Sequence, residues 1–321
     1  MVCSFLGIIG KTKFVLQTTN SKLFFFQIFI LSLRMTVHEA KQQLLFQLYS
    51  IYDNSESQQI AELVMEHITG WKRMDQVLHK MLPLLPEQRG RLQQCTHELL
   101  QHKPLQYVLN EAWFAGMKLY VDERVLIPRP ETEELVDWIL KDIQRTQNNK
   151  GPRILDIGTG SGCIALALKK KLPFCEVHAC DISEGALTVA RQNAATHHLN
   201  IQFHLTDILK KEEYTDLPVF DCIVSNPPYI PVSDTHRMQP NVLEHEPHLA
   251  LFVPNDDAII FYKAIAGFAK KYLRDTGVIY AEIQEAASGA IRQVFSEAGF
   301  SKTEIRKDMQ GKNRMVKAMF C

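Results

Sequence analysis

The run Ile154-Leu155-Asp156-Ile157-Gly158-Thr159-Gly160-Ser161-Gly162-Cys163 constrains the fold of this chain more than any other segment. An apolar strand-like stretch feeds three glycines at alternate positions, and a helical pattern opens straight after them. A turn of this kind bends sharply and lets a ligand approach the backbone, which a Cβ would obstruct. The text that follows supplies the rest of a layered fold. Arg153–Ile157, Glu176–Cys180, Ile201–Leu205, Asp221–Ser225 and Gly277–Glu282 read as strands. Helical stretches at Cys163–Lys171, Glu184–His197 and about Asp257–Leu273 separate them. A helix near Ala286–Ala298 and two last strands, Ser301–Arg306 and Arg314–Phe320, complete the pattern. Strands alternating with helices predict a parallel, doubly wound α/β sheet. Two final strands with no helix between them predict that the last one runs antiparallel.

Upstream the periodicity changes. From Thr36 to about Lys103, apolar residues recur at three- and four-residue steps: Leu44, Leu45, Leu48; Ile60, Leu63, Val64, Ile68; Val77, Leu78, Met81. Breaks fall at Asp53-Asn54-Ser55, at Gly70 and around Pro83–Pro86. These spacings predict a helical bundle over 35–105, a β-hairpin linker over 106–128 (Tyr107 to Ile127 being rich in aromatic and β-branched residues), and the α/β domain over 129–321.

Residues 1–34 carry Lys11, Lys13, Lys22 and Arg34 and no acid, which leaves 32 basic against 36 acidic residues in the remainder. The apolar stretch Leu23–Leu33 is 11 residues long, short of the roughly 20 a spanning helix needs. It lacks a small-x-small cleavage site, and a single Arg is sparse for a mitochondrial presequence. Residues 1–34 therefore read as a doubtful leader, with Met35 as the expected start and the cytoplasm as the expected location, the mitochondrion being the lesser alternative should 1–34 be a real presequence. The mildly acidic remainder disfavours a chain whose main task is coating nucleic acid.

The 7 cysteines contain no CxxC spacing, so free thiols are expected rather than disulfides or zinc ligands. His245 and His248 flank Pro247, which breaks the helix that paired ligation would use, so a loop is expected there and no metal. Cys163 has no local histidine base and reads as a small core residue.

Two acids follow the glycine turn at strand ends. Asp181 closes the second strand, 23 residues after Gly158, where a carboxylate can accept from ribose hydroxyls. Ser183 nearby makes a helix N-terminal role for the same acid a serious competitor. Asp207 closes the third strand, where an adenine amino group could donate to it. Because Cys163 stands where a dinucleotide fold wants its third glycine, the pattern is off for NAD and suits an adenosyl ligand without pyrophosphate.

The fourth strand ends in Asn226-Pro227-Pro228-Tyr229, a rigid polar-aromatic elbow. A planar NH2 group fits it: the Asn226 side-chain oxygen and the Pro227 carbonyl can each accept one N–H, while Tyr229 stacks on the plane. Proline suits this place because it donates no N–H and fixes φ.

Gly158–Gly162, Asp181 and Asn226–Tyr229 resemble class I S-adenosylmethionine-dependent methyltransferases acting on nitrogen. Val125-Leu126-Ile127-Pro128-Arg129-Pro130-Glu131-Thr132-Glu133 narrows the resemblance to the HemK/PrmC family. Pro104-Leu105-Gln106-Tyr107, Glu246-Pro247-His248-Leu249-Ala250-Leu251, and Lys307-Asp308 through Gly311 to Arg314 agree with it, so that it covers essentially all of 35–321.

The resemblance implies a Rossmann-like, seven-stranded sheet with the last strand antiparallel, and a small N-terminal helical domain that recognises substrate. It implies S-adenosylmethionine as cofactor, held by Gly158, Thr159, Gly160, Ser161, Gly162, Asp181, Asp207, Ile208 and Asn226. Asn226, Pro227, Pro228 and Tyr229 would bind the target, with Asn226, Pro227 and Tyr229 catalytic. The Pro128–Thr132 segment would close over the same pocket. The implied target is the GGQ glutamine of a peptide-chain release factor, methylated at N5. The chain departs from the family pattern at Val253–Asp257, at Gln284 and near Asn110. Competing readings with the same elbow are a ribosomal-protein glutamine methyltransferase and an N6-adenine or rRNA methyltransferase; a third is a non-catalytic adaptor on the same fold.

Overall fold

The structure, a computed structural model, describes residues 35–145, 151–211, 214 and 217–320; the leader assigned to 1–34 lies outside them. Contacts divide the chain into two compact units, up to Gln101 and from His102 onward.

The first unit is helical. Helix α1 (Val37–Leu48) starts on a capping box in which the Thr36 side chain accepts from the Glu39 N–H and the Glu39 carboxylate accepts from the Thr36 N–H. Helix α2 (Asn54–Thr69) is capped by Asp53 and stops at left-handed Gly70. Helices α3 (Arg73–Leu78) and α4 (Pro86–Leu100) follow, the latter opened by Pro86 in its first turn. Leu44, Leu48, Val64, Met65 and Leu99 are buried among them, one face per helix as the spacing requires.

The second unit begins with helix α5 (Leu105–Leu109) and a tight hairpin, β1 (Ala112–Phe114) with β2 (Met117–Leu119). The segment read as a hairpin linker is thus partly helical, and it is not a free linker. Phe114, Met117 and Leu119 are buried in one apolar cluster with Leu135, Trp138, Ile164 and Val224. Tyr107 turns inward and donates its hydroxyl to the Val125 carbonyl at 2.6 Å, while left-handed Asn110 ends the short helix.

After helix α6 (Pro130–Arg145) come β3 (Arg153–Ile157), α7 (Cys163–Lys171), β4 (Glu176–Asp181), α8 (Glu184–Thr196), β5 (Gln202–Leu205) and β6 (Phe220–Ser225). The short strands β7 (Ile230–Pro231) and β8 (Phe252–Val253) bracket α9 (Pro240–His245) and pair with each other. The chain closes with α10 (Ile260–Tyr272), β9 (Leu273–Glu282), α11 (Ser288–Glu297), β10 (Lys302–Lys307) and β11 (Asn313–Met319). The main sheet has 7 strands in the order β10-β11-β9-β6-β3-β4-β5. Its strands β5, β4, β3, β6 and β9 are mutually parallel, and β11 runs antiparallel to both β9 and β10. The predicted class I architecture is therefore present.

This order places the site. The chain winds outward from β3 through β4 to β5, then returns to β6 on the other side of β3, which opens a crevice at the carboxyl ends of β3 and β6. Register aligns those ends: Ile157 is opposite both Cys180 and Ser225, Asp181 is opposite Leu205, and Ser225 is opposite Ala281. The residues just past each strand, Gly158, Thr206, Asn226 and the terminal Glu282 of β9, consequently share one level.

Candidate active site

Each wall of the crevice is built by one strand end. The β3–α7 turn is held against β4, because the Gly158 and Thr159 N–H groups both donate to the Cys180 carbonyl, at 2.9 and 3.0 Å. All three glycines of the turn have positive φ. A Cβ on Gly162 would stand 2.4 Å from Leu166 Cδ1, whereas one on Gly158 or Gly160 would meet nothing within 4 Å. Gly162 therefore serves close packing of α7 onto α8, while Gly158 and Gly160 leave room on the ligand side.

Beneath the turn lies Asp156, fully buried. Its Oδ2 accepts from the Thr159 hydroxyl at 2.6 Å and from the Ala165 N–H at 3.3 Å, and its Oδ1 has no partner. Burial pushes its carboxyl up to about 7, against the pull of those two donors. The native state accordingly holds this proton more tightly than the unfolded chain, in which an Asp titrates near 4. Its stabilising contribution is complete below pH about 4 and is lost as the pH rises toward about 7. Wild type should lose urea-denaturation midpoint relative to Asp156→Asn across that window; parallel curves for the two proteins would contradict this.

Asp181, at the end of β4, accepts the Gly160 N–H on Oδ2 and the Ser183 N–H on Oδ1, both at 2.9 Å. Ser183 caps α8, its hydroxyl accepting from the Ala186 N–H. Asp181 therefore ties the glycine turn to the next helix, and it lines the cavity. Burial raises its carboxyl, while its backbone donors oppose the rise. Asp207 accepts the Leu209 N–H at 2.9 Å and lies 3.6 Å from Lys210 Nζ.

At the end of β6, the Ser225 hydroxyl donates to the Ile157 carbonyl at 2.8 Å, locking the elbow to β3. Asn226 Nδ2 donates to Thr132 Oγ1 at 3.1 Å. The Thr132 hydroxyl donates to Glu282 Oε2 at 2.8 Å, and the Tyr229 hydroxyl donates to Glu282 Oε1 at 3.0 Å. Burial raises the Glu282 carboxyl, and the two hydroxyls and the Arg314 guanidinium pull it back. Arg314 is itself paired with buried Asp308.

The roof is held by one buried acid. Glu246 accepts from Arg129 at 2.5 Å and from the Ile127 N–H at 3.3 Å. It thereby fastens the stretch before α6 to the Pro247–Ala250 loop. The His245–His248 segment accordingly uses its acid for structure, and no cluster of metal-ligating groups occurs among the described residues. Burial pushes the Cys163 thiol up to about 12, which leaves it un-ionised at neutral pH.

A cavity of about 190 Å³ collects Gly158, Gly160, Asp181, Asp207, Ile208, Asn226, Pro227 and Pro228. Ile182, Leu209 and Phe261 add apolar wall, and Arg124, Val125, Leu126, Pro247, Leu249 and Ala250 add the roof. Thr159, Ser161 and Gly162 do not line it. Thr159 and Ser161 are buried, and the Thr159 hydroxyl donates to Asp156 beneath the turn. Tyr229 lies outside the lining as well, its hydroxyl drawn to Glu282. Glu282 and Glu246 carry no role in the sequence expectations, and Thr132 carries one only as the end of the Pro128–Thr132 segment expected to close over the pocket. The signal for Glu282 was a charged residue ending the otherwise apolar run Val278-Ile279-Tyr280-Ala281.

The chain matches the PrmC N-terminal domain family over residues 38–109 and the Methyltransferase small domain family over 138–245. It is 40% identical to a release factor glutamine methyltransferase of Flavobacterium psychrophilum, over 89% of this chain and 100% of the relative. It is 45% identical to the protein of that name from Streptococcus pneumoniae, over 72% of this chain and 80% of the relative. Among solved structures, the hMettl16 catalytic domain in complex with MAT2A 3'UTR hairpin 6 shares the fold, with a TM-score of 0.51 at 15% identity over 73% of this chain and 82% of that one. A seven-stranded methyltransferase sheet, a matching N-terminal helical domain and a relative aligned over its whole length agree, and the chain belongs to the release factor glutamine methyltransferase family.

Proposed function

We propose that this protein transfers a methyl group from S-adenosylmethionine to the side-chain N5 of the GGQ glutamine in a peptide-chain release factor. The observation that carries this reading is the orientation of Asn226. Its Nδ2 donates to Thr132, which turns its Oδ1 away from that hydroxyl, and Asn226 lines the cavity that the glycine turn also lines. A glutamine amide presents two N–H donors in one plane, and Asn226 Oδ1 and the Pro227 carbonyl are two acceptors at one elbow.

The cavity suits an adenosyl cofactor. Gly158 and Gly160 present backbone without side chains. Ile182, Ile208, Leu209 and Phe261 offer an apolar panel for a base. Asp181 and Asp207 line the same cavity and bring carboxylates, groups that accept from ribose or amine donors. When bound, the cofactor would supply an electrophilic methyl group on a sulfonium sulfur and leave as the neutral thioether as the S–C bond breaks, and the amide nitrogen that takes the methyl would release one N–H proton, through the elbow oxygen that accepts it, to solvent.

An amide nitrogen is a weak nucleophile because its lone pair is delocalised, so the residues contribute by placement. Asn226 and Pro227 fix the amide plane, and Tyr229, bonded to Glu282, braces the elbow from outside the cavity. The roof held by Glu246 excludes water, and no strong base is required. The helical unit up to Gln101 is the expected platform for the body of the release factor, and a translation factor as substrate is compatible with a cytoplasmic reaction.

Labelled S-adenosylmethionine offered in parallel to a release factor, a ribosomal subunit and DNA tests the reading. Label should enter the release factor selectively. Preferential labelling of a ribosomal protein or of nucleic acid would replace it with one of the competing substrates.

A further inference from the structure

Four residues far apart in sequence make one continuous hydrogen-bonded chain: Asn226 to Thr132 to Glu282, with Tyr229 joining the same carboxylate from the other side. The geometry points to Glu282 as a positioning residue that, through the Thr132 hydroxyl, dictates which end of the Asn226 amide faces the substrate. This inference rests on the role proposed above for Asn226.

The polarity of the chain is forced step by step. Glu282 is 2% exposed, and both of its oxygens receive a hydroxyl. Both Glu282 oxygens act as acceptors here, so the single Thr132 proton points toward Oε2. The Thr132 oxygen then has only lone pairs to offer Asn226. An asparagine side chain that meets an acceptor must present its NH2 group, and its oxygen therefore turns the other way. Without that constraint the two ends of the amide are nearly isosteric, and a flipped Asn226 would aim N–H at the substrate N–H. The elbow would then repel the group it is built to hold.

The frame around Glu282 is rigid. Its own carbonyl accepts the buried Tyr262 hydroxyl at 2.8 Å, and the next residue, Ile283, donates its N–H to the Arg314 carbonyl at 2.8 Å. Thr132 lies in the first turn of α6, where its N–H donates to the Arg129 carbonyl at 3.1 Å. One carboxylate thus grips the elbow at both ends, Asn226 through Thr132 and Tyr229 directly.

Thr132→Val removes the hydroxyl and keeps the shape. It should lower kcat for release-factor methylation about 10- to 100-fold, the scale of a small misplacement in a reacting pair. Cofactor affinity by calorimetry and KM for the release factor should stay within about threefold, since catalysis lost without uniform binding marks an orienting contact. Thr132→Ser restores the hydroxyl and should recover most of the rate, which a purely packing role for the methyl group would not allow. A readout independent of turnover is the Asn226 side-chain NH2 resonance in 15N-asparagine-labelled protein, identified by its loss in Asn226→Ser. It should be protected from solvent exchange in wild type and in Thr132→Ser, and unprotected in Thr132→Val. An active wild type with Thr132→Val equally active, or with its NH2 equally protected, would overturn the inference. An inactive wild type would instead overturn the substrate reading, and the resonance comparison would still judge the Glu282 relay.

Discussion

Replacing Asn226 with alanine should lower kcat on a release factor by about 10²–10³-fold, the usual cost of removing one preorganised polar group from a reacting centre. The residue sits at the first position past β6, level with the glycine turn, and its orientation is already set before any substrate arrives. Alanine leaves Ser225 bonded to the Ile157 carbonyl and Pro227 in place, so the strand end should survive. Cofactor affinity should change little, because the glycine turn and Asp181 keep their own hydrogen bonds, none of which involves Asn226. Steady-state kinetics alongside calorimetry separates the two effects. A fall in cofactor affinity that matched the fall in kcat would show that Asn226 serves the cofactor rather than the methyl acceptor.

The Asp181→Ala variant should show the complementary behaviour. Its carboxylate holds the Gly160 and Ser183 N–H groups, and it is the acceptor best placed for ribose hydroxyls. Hydrogen bonds to a charged group contribute about 1.5–3 kcal/mol each, so loss of ligand contacts and of the braced turn should weaken S-adenosylmethionine on the order of a hundredfold. Calorimetric titration reads this directly. At saturating cofactor, kcat should return to within a few fold of wild type, because Asp181 touches neither Asn226 nor Tyr229. Asp181→Asn keeps one acceptor oxygen and should fall between the two. An unchanged Kd in Asp181→Ala would leave this acid as a helix and turn brace alone.

Those two residues were legible in the sequence because each announces itself locally: one follows a glycine turn at a fixed distance, and the other opens a proline-stiffened elbow. The sheet was legible for a similar reason, since alternating strands and helices admit few topologies. What the sequence hid is long-range. Thr132 is 94 residues from Asn226 and 150 from Glu282, and only the strand order brings them to one level. Thr132 is expected only as part of a segment closing over the pocket, with no partner named for its hydroxyl. The stretch from Tyr107 misled for another reason. Its β-branched and aromatic composition suggests extended chain, but Tyr107 is drawn inward to the Val125 carbonyl and left-handed Asn110 closes a helical turn. Tertiary contact outweighed propensity there. Helix α10 begins at Ile260 rather than Asp257 because Pro254 and Asp257 take up successive turns first.

The central claim is that the elbow presents a protein glutamine amide to the methyl donor. Its most direct test is peptide mass spectrometry of a release factor incubated with this protein and S-adenosylmethionine, with fragmentation to locate the added methyl. The predicted result is a single methyl on the side-chain nitrogen of the GGQ glutamine, absent when Asn226→Ala replaces wild type. A methyl on any other residue, or one that Asn226→Ala deposits as efficiently as wild type, would contradict the account.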